Sequence, residues 1–252
     1  MSKVDYSDIA IRYDNNPIRN DIPDDPILKL SADKPWRVLD LGCGTGSYIE
    51  SQSRSGKHKN IEWHGLDPSE AMLTRARAKV SRAHFHLGKA EILPFEHGYF
   101  NYVTSRFSLH HFDDPRAALR DVHRVLKNNG HFKIVNIAPD QSPNWWIFRY
   151  FPKARELDMK RLWTVDQMKS EAGHAGFHHE STSMTLREKI PAHLVLNEAR
   201  NRETSELLLI DYEHYKDGMK RLEAEITPHN DKLIDWGLMI TELHFTKQNP
   251  NK

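Results

Sequence analysis

An apolar run that ends in alternating glycines, Val38-Leu39-Asp40-Leu41-Gly42-Cys43-Gly44-Thr45-Gly46, constrains this chain more than any other stretch. Val38 to Leu41 reads as a short strand buried on both faces, as a central parallel strand must be. Gly42, Gly44 and Gly46 carry no Cβ, so the backbone there can turn tightly and approach a ligand. From Ser47 onward a helix can start, with its free N–H groups facing that ligand. A glycine-rich turn with no ligand is the alternative, and the strand-like Val-Leu-Asp-Leu before the glycines weighs against it.

Strand and helix patterns then alternate. Trp36 to Leu41, Ile61 to Asp67, Ala83 to Leu87, Phe100 to Ser105 and His131 to Ile137 read as five strands. Gly46 to Arg54, Pro68 to Val80 and Pro115 to Leu126 read as helices between them, the last with Ala118, Leu119, Val122, Val125 and Leu126 on one face and Asn128-Asn129-Gly130 as its stop. Such alternation argues for a parallel sheet with right-handed crossovers. Ligands bind these sheets at the carboxyl ends of the strands. Asp40, Asp67, Lys89 to Glu91 and Arg106 all fall there and are expected to line one crevice.

Several of these segments resemble the class I, Rossmann-like methyltransferases that use S-adenosylmethionine (SAM), and within them the type 11 family that includes the ubiquinone and menaquinone C-methyltransferases. The glycine segment resembles the family's first motif, and Gly65-Leu66-Asp67-Pro68-Ser69-Glu70-Ala71-Met72 its second. Gly88-Lys89-Ala90-Glu91-Ile92-Leu93-Pro94-Phe95 resembles a third, and Ser105-Arg106-Phe107-Ser108-Leu109-His110-His111-Phe112-Asp113-Asp114-Pro115 a fourth. The resemblance is close over residues 36–138. It implies an α/β fold with a seven-stranded, mostly parallel sheet, helices on both faces and a helical lid insertion, and SAM as cofactor. It implies that Asp67 holds the ribose hydroxyls, and a carboxylate can indeed accept two hydrogen bonds from a diol. Asp40, Gly42, Gly44, Pro68, Met72, Ala90, Glu91 and Arg106 complete the expected cofactor pocket, with Tyr13 of an N-terminal Tyr-Asp over the methionine end. Met72 fits a core role equally well.

One position departs from the pattern. The family's adenine-binding aspartate is Lys89 here, and a lysine has no acceptor to offer an amino group. Glu91 or a backbone carbonyl is left to take over. Asn101 also stands where the family has aspartate.

The remaining sequence bounds the function. Lys and Arg number 36 against 35 Asp and Glu, a formal net charge of +1, so no general grip on nucleic acid or anionic membrane is expected. The run Arg75, Arg77, Lys79 and Arg82 reads as a solvated helix face. Cys43 is the single cysteine, which removes any intrachain disulfide framework. The N-terminus lacks the apolar core of a signal peptide, and the longest aliphatic cluster, Leu207 to Ile210, is too short to span a bilayer. A soluble cytoplasmic protein with no membrane span is the expectation. Adjacent histidines rarely share one ion, and His84 with His86, or His174 with His178 and His179, show no ligand pattern, so no metal is expected.

One domain over residues 1–252 is expected. Its core covers 31–140, 164–186 and 236–247, with an N-terminal arm at 1–30 and a helical lid insertion at 190–230 whose inner positions include Leu194, Leu208 and Tyr212. Thr164 reads as the cap of a helix to Ala175, Phe177 to Met184 as a sixth strand, and Gly237 to Thr246 as a final antiparallel strand at the sheet edge. The aromatic segment within 141–163, Trp145-Trp146-Ile147-Phe148-Arg149-Tyr150-Phe151, walls a substrate pocket, forms a homodimer contact or packs as core. Transfer of a methyl group from SAM is a direct displacement, so the protein supplies mainly alignment. A base is needed only for a protonated acceptor, and His110, His111 or His64 are the candidates. A small-molecule acceptor fits best. A macromolecule methyltransferase, acting on RNA or protein, and a non-catalytic SAM-binding protein are the alternatives.

Overall fold

A computed structural model describes residues 35–54, 60–227 and 232–248, which fall into two compact units. Tyr13 and the N-terminal arm lie outside the described residues.

The first unit holds residues up to Val135, then 169–182 and 242 onward. It is built on a seven-stranded sheet ordered β3-β2-β1-β4-β5-β7-β6. The strands are β1 (Trp36–Leu41), β2 (Ile61–Asp67), β3 (His84–Leu87), β4 (Phe100–Arg106), β5 (Leu126–Ile137), β6 (Phe177–Pro191) and β7 (Leu233–Lys247). β1 pairs in parallel with both β2 and β4, β2 with β3, and β4 with β5. The chain moves outward through β2 and β3, then returns to the far side of β1 as β4. That reversal between β1 and β4 opens the crevice in which open α/β sheets bind ligands. Helices α1 (Ser47–Arg54), α2 (Glu70–Lys79) and α3 (Pro115–Val125) make the crossovers. Ser69 caps α2 by accepting from the Met72 N–H, and Asp114 caps α3 by accepting from the Ala117 N–H with Pro115 next to it. Four of the five residues expected on the face of α3, Ala118, Leu119, Val122 and Val125, are buried there, while Leu126 starts β5 instead. Val38, Ile49, Trp63, Val80 and Tyr102 form a core cluster with Tyr48 packed against it.

Three expectations about the sheet need correction. β7 is not the edge strand; it lies between β5 and β6. Its side chains require that position: Leu243 and Phe245 are fully buried, Phe245 stacks on Phe132 of β5, and Glu242 accepts from the buried Lys133 of β5 at 2.8 Å. β6 takes the edge, with mostly exposed residues along its length, and it runs to Pro191 rather than Met184. Asn128-Asn129-Gly130 does not stop a helix. It lies inside β5, in an irregular stretch where the pairing with β4 shifts register and Asn129 takes a φ of 59°.

The second unit comprises residues 136–168 and 183–241. It holds α4 (Trp146–Tyr150), α5 (Pro152–Arg161), α7 (Ala192–Asn201), α8 (Ser205–Leu209) and α9 (Tyr212–Ile226); α6 (Val165–His174) starts in it. Thr164 caps α6 as expected, in a reciprocal pair with Gln167. Trp145, Trp146, Ile147, Phe148, Tyr150 and Phe151 are all buried, so the aromatic segment forms this unit's core. Phe151 lies against Gly218 so closely that a Cβ there would meet its ring at 2.1 Å. The helical insertion exists, but Tyr212 is 65% exposed and not an inner position. It opens α9 one residue after its cap Asp211, and the buried stripe of that helix is Gly218, Leu222 and Ile226, four residues apart as one helix face requires. Leu194 and Leu208 are half-buried.

Within this unit Asp158 is completely buried and accepts from Arg161 Nε at 2.7 Å, while Arg161 Nη2 donates to Glu206 at 3.0 Å. Burial, then the neighbouring Glu206 charge, push the Asp158 carboxyl up to about 8. One guanidinium serves two carboxylates there, and holding one of them protonated relieves the excess charge.

Candidate active site

The crevice is built by the loop after β1, folded back over the end of β2. Gly42 N and Cys43 N both donate to the Leu66 carbonyl, at 2.8 and 3.1 Å. Gly44 N donates to Asp67 Oδ2 at 2.9 Å, and Ser69 N to Asp67 Oδ1 at 2.9 Å. Asp67 is thus fixed by the glycine loop on one side and its own turn on the other. Its carboxyl sits above the usual carboxylate range because burial outweighs the two N–H bonds. A carboxylate offers about four acceptor positions, and these bonds use two.

Gly42 and Gly44 have different tasks. Gly42 has a φ of +75°, and a Cβ on it would meet Ser108 Cβ at 2.4 Å. Ser108 belongs beneath the loop: its hydroxyl donates to the Leu41 carbonyl at 2.8 Å and shares a 2.8 Å bond with Ser105. Phe107, with a φ of 52°, makes the turn that returns Ser108 to this position. Gly44 has a φ of +53°, and a Cβ on it would meet no heavy atom within 4 Å. It borders open space beside Asp67.

Arg106 ends β4, with its guanidinium carbon 4.8 Å from the centre of the Tyr48 ring. His110 and His111 follow in a short 3-10 turn, their rings 4.0 Å apart. On the β3 side, Ala90 and Met72 are buried and Pro68 is exposed. Asp40 is buried at the end of β1.

Several residues have tasks that sequence reasoning missed. Glu91 Oε1 accepts from the N–H groups of Asp113 (2.6 Å) and Asp114 (3.0 Å), the entry to α3. Lys89 reaches the same place, pairing with Asp113 Oδ2 at 3.0 Å. The 88–95 loop is therefore latched to the head of α3. Asp121 and Arg124 hold its far end, Arg124 donating to the carbonyls of Leu93 and Phe95 and Asp121 accepting from Leu93 N. Lys79, expected on a solvated face, instead donates to the hydroxyls of Thr45 and Ser47 in the glycine loop.

His64 does not belong with the site. Its Nε2 bonds Glu62 at 3.0 Å, its Nδ1 bonds His86 at 3.1 Å, and Phe95, Tyr99 and Phe100 present their rings edge-on around it. Burial pulls the imidazole down to about 4. His84 and His86, a pair with no ligand pattern in the sequence, join it because β2 and β3 are neighbours with His64 opposite His84. Among the described residues no group of three or more His, Cys, Asp or Glu is arranged to hold a metal ion, and no helix is long and apolar enough to cross a membrane.

Comparison with known proteins follows the same outline. Residues 39–134 match the type 11 methyltransferase-domain family. A demethylmenaquinone methyltransferase of Thermotoga maritima is 37% identical over 105 residues, covering 42% of this chain and 45% of that protein. An uncharacterized methyltransferase of Bacillus subtilis, YcgJ, is 36% identical over 112 residues, covering 42% of this chain and 43% of its own length. The matched segment therefore spans less than half of either relative. The crystal structure of YcgJ superposes with a TM-score of 0.61 over 89% of this chain and 97% of that one, at 20% identity, so the shared fold extends well beyond the matched segment. Residues 39–134 therefore match a methyltransferase-domain family, and the chain shares the α/β fold of solved methyltransferase structures.

Proposed function

We propose that this chain is a SAM-dependent methyltransferase with a small-molecule acceptor. The observation that carries the reading is the pairing of Gly44 and Asp67: a buried carboxylate with acceptor capacity to spare, beside a glycine that faces open space. The residues fit the cofactor. Asp67 would hold the ribose hydroxyls, Gly42 and Gly44 the backbone path beside it, Pro68 and Met72 one side of the adenine, and the Ala90 N–H a ring nitrogen. Glu91 keeps Oε2 for the adenine amino group, since Oε1 serves the turn before α3. Asp40, Arg106 and, from the N-terminal arm, Tyr13 would surround the amino-acid end.

When bound, SAM supplies a methyl group on a sulfonium that is already activated. What the chain adds is alignment and the exclusion of water. His110 and His111 are the groups available to take a proton from an acceptor that begins protonated. The named activity of the Thermotoga relative supports a small acceptor. So does the fate of the basic run: Lys79 is spent on the glycine loop and Arg77 pairs with Glu70 at 2.5 Å, leaving little of a basic face for nucleic acid.

Calorimetric titration of the purified protein with SAM, S-adenosylhomocysteine and NAD tests this. Binding of both sulfur nucleosides at micromolar concentration, with none of NAD, is expected. A folded protein that binds neither sulfur nucleoside refutes the proposal.

A further inference from the structure

We propose that Arg106 is the anchor for the carboxylate of the cofactor's amino-acid arm, and so decides which sulfur nucleosides the crevice accepts. This assignment rests on the cofactor reading above. The strand order gives the direction. With the ribose at Asp67 on β2 and the adenine toward the β3 side, at Met72 and Ala90, the third part of a linear adenine–ribose–amino-acid molecule has to run the other way, across β1 to β4. That end of the ligand carries one carboxylate and one ammonium, and needs both signs of charge. Arg106 closes β4. Asp40 is paired with Thr104, two residues before Arg106, so both lie on one face of the sheet.

The guanidinium itself points to an anion. Its Nη1 is buried and has no hydrogen-bond partner among the described residues. Buried donors are nearly always paired, so one left over calls for an explanation. The charge is not used up nearby. Glu242 lies close enough for Arg106 to stabilise its ionised form, but its carboxylate is bonded to Lys133 at 2.8 Å. Tyr48 supports the guanidinium with its ring face. Arg106 is therefore held in place by groups other than a ligand and keeps a donor in reserve. A planar guanidinium with parallel N–H groups suits a carboxylate.

The test compares two nucleosides that differ only at that end. S-adenosylhomocysteine carries the amino-acid arm, and 5′-methylthioadenosine lacks it. In calorimetric titrations, Arg106→Met is expected to weaken S-adenosylhomocysteine by about 10- to 100-fold, the range for losing a hydrogen bond to a charged group, and to leave 5′-methylthioadenosine within about 2-fold of the wild type. Arg106→Lys should fall between. The decarboxylated analogue of S-adenosylhomocysteine gives the same answer on the unaltered protein, where it should bind as weakly as S-adenosylhomocysteine binds Arg106→Met. Parallel weakening of both nucleosides in the variant, no weakening of either, or full affinity for the decarboxylated analogue would overturn the assignment and leave the cofactor reading standing. A wild-type protein that binds neither nucleoside removes both.

Discussion

Two alanine substitutions in one loop should have opposite consequences. Gly42 and Gly44 both have positive φ, so either alanine incurs left-handed backbone strain of about 1 kcal/mol. At Gly44 nothing further is added, because the new Cβ meets no heavy atom within 4 Å. At Gly42 the new Cβ would sit 2.4 Å from Ser108 Cβ and 2.7 Å from its hydroxyl. Ser108 cannot move aside cheaply, since it is buried and its hydroxyl bonds Leu41 and Ser105. Overpacking of this kind costs about 1–3 kcal/mol, and the disturbed buried hydrogen bonds add about 1 kcal/mol. Gly42→Ala should thus lose roughly 3–5 kcal/mol, a large part of the roughly 5–15 kcal/mol that holds a domain together. Gly44→Ala should lose about 1 kcal/mol but place its methyl where the cofactor is expected. Urea denaturation and titration with S-adenosylhomocysteine, run on both variants, separate the effects. A Gly44→Ala protein with wild-type affinity, or a Gly42→Ala protein as stable as Gly44→Ala, would refute the reasoning.

Further outcomes follow from single side chains. Asp67→Ala should weaken S-adenosylhomocysteine by about 100-fold in a folded protein, with Asp67→Asn intermediate, since each lost hydrogen bond from a charged group is worth about 1.5–3 kcal/mol; calorimetry checks this. Asp158, with its carboxyl raised to about 8, binds a proton in the folded state that the unfolded chain has lost above the ordinary aspartate range. Stability should therefore fall as pH rises from about 4 to 8, by at most about 1.4 kcal/mol per unit. Asp158→Asn should flatten that slope in urea melts. His64 works in the opposite sense. Lowered to about 4 from the usual 6.5, it stays neutral in the folded state while the unfolded chain takes up a proton. Its contribution is complete above about 6.5 and lost as pH falls through 4, with a ceiling of about 3 kcal/mol. His64→Phe, which suits the surrounding aromatic rings, should remove that acid limb. For an acceptor that begins protonated, replacing whichever of His110 and His111 serves as base should cut kcat by about 100-fold or more and abolish the acidic limb of its pH profile; an unchanged profile in both single variants would exclude a histidine base.

The part of the chain governed by local patterns was legible. Apolar runs located the strand ends at Leu41 and Asp67 and, to within one residue, at Ser105; Pro68 and Pro115 marked two helix starts and Thr164 capped a third, because these features act within a few residues. What escaped depends on contacts between distant elements. β7 sits inside the sheet because Glu242 meets Lys133 and Phe245 meets Phe132, pairings more than a hundred residues apart. The sequence paired His84 with His86, but only the β2–β3 register brings His64 to them. Asn128-Asn129-Gly130 has the composition of a stop signal, but the same left-handed tolerance also serves an irregular stretch within a strand. Within the site, the residue types at Asp67, Gly44 and Arg106 were readable. The commitments of Glu91, Lys89 and Lys79 were not, since each is fixed by a partner on another segment.

A crystal structure of the protein grown with S-adenosylhomocysteine tests the central claim most directly. Ribose hydroxyls are expected within about 2.5–3.0 Å of the Asp67 carboxylate, the range for O–H···O bonds, with the sugar lying over Gly44. Density for the nucleoside elsewhere on the protein, or a bound nucleoside that leaves Asp67 untouched, would contradict it.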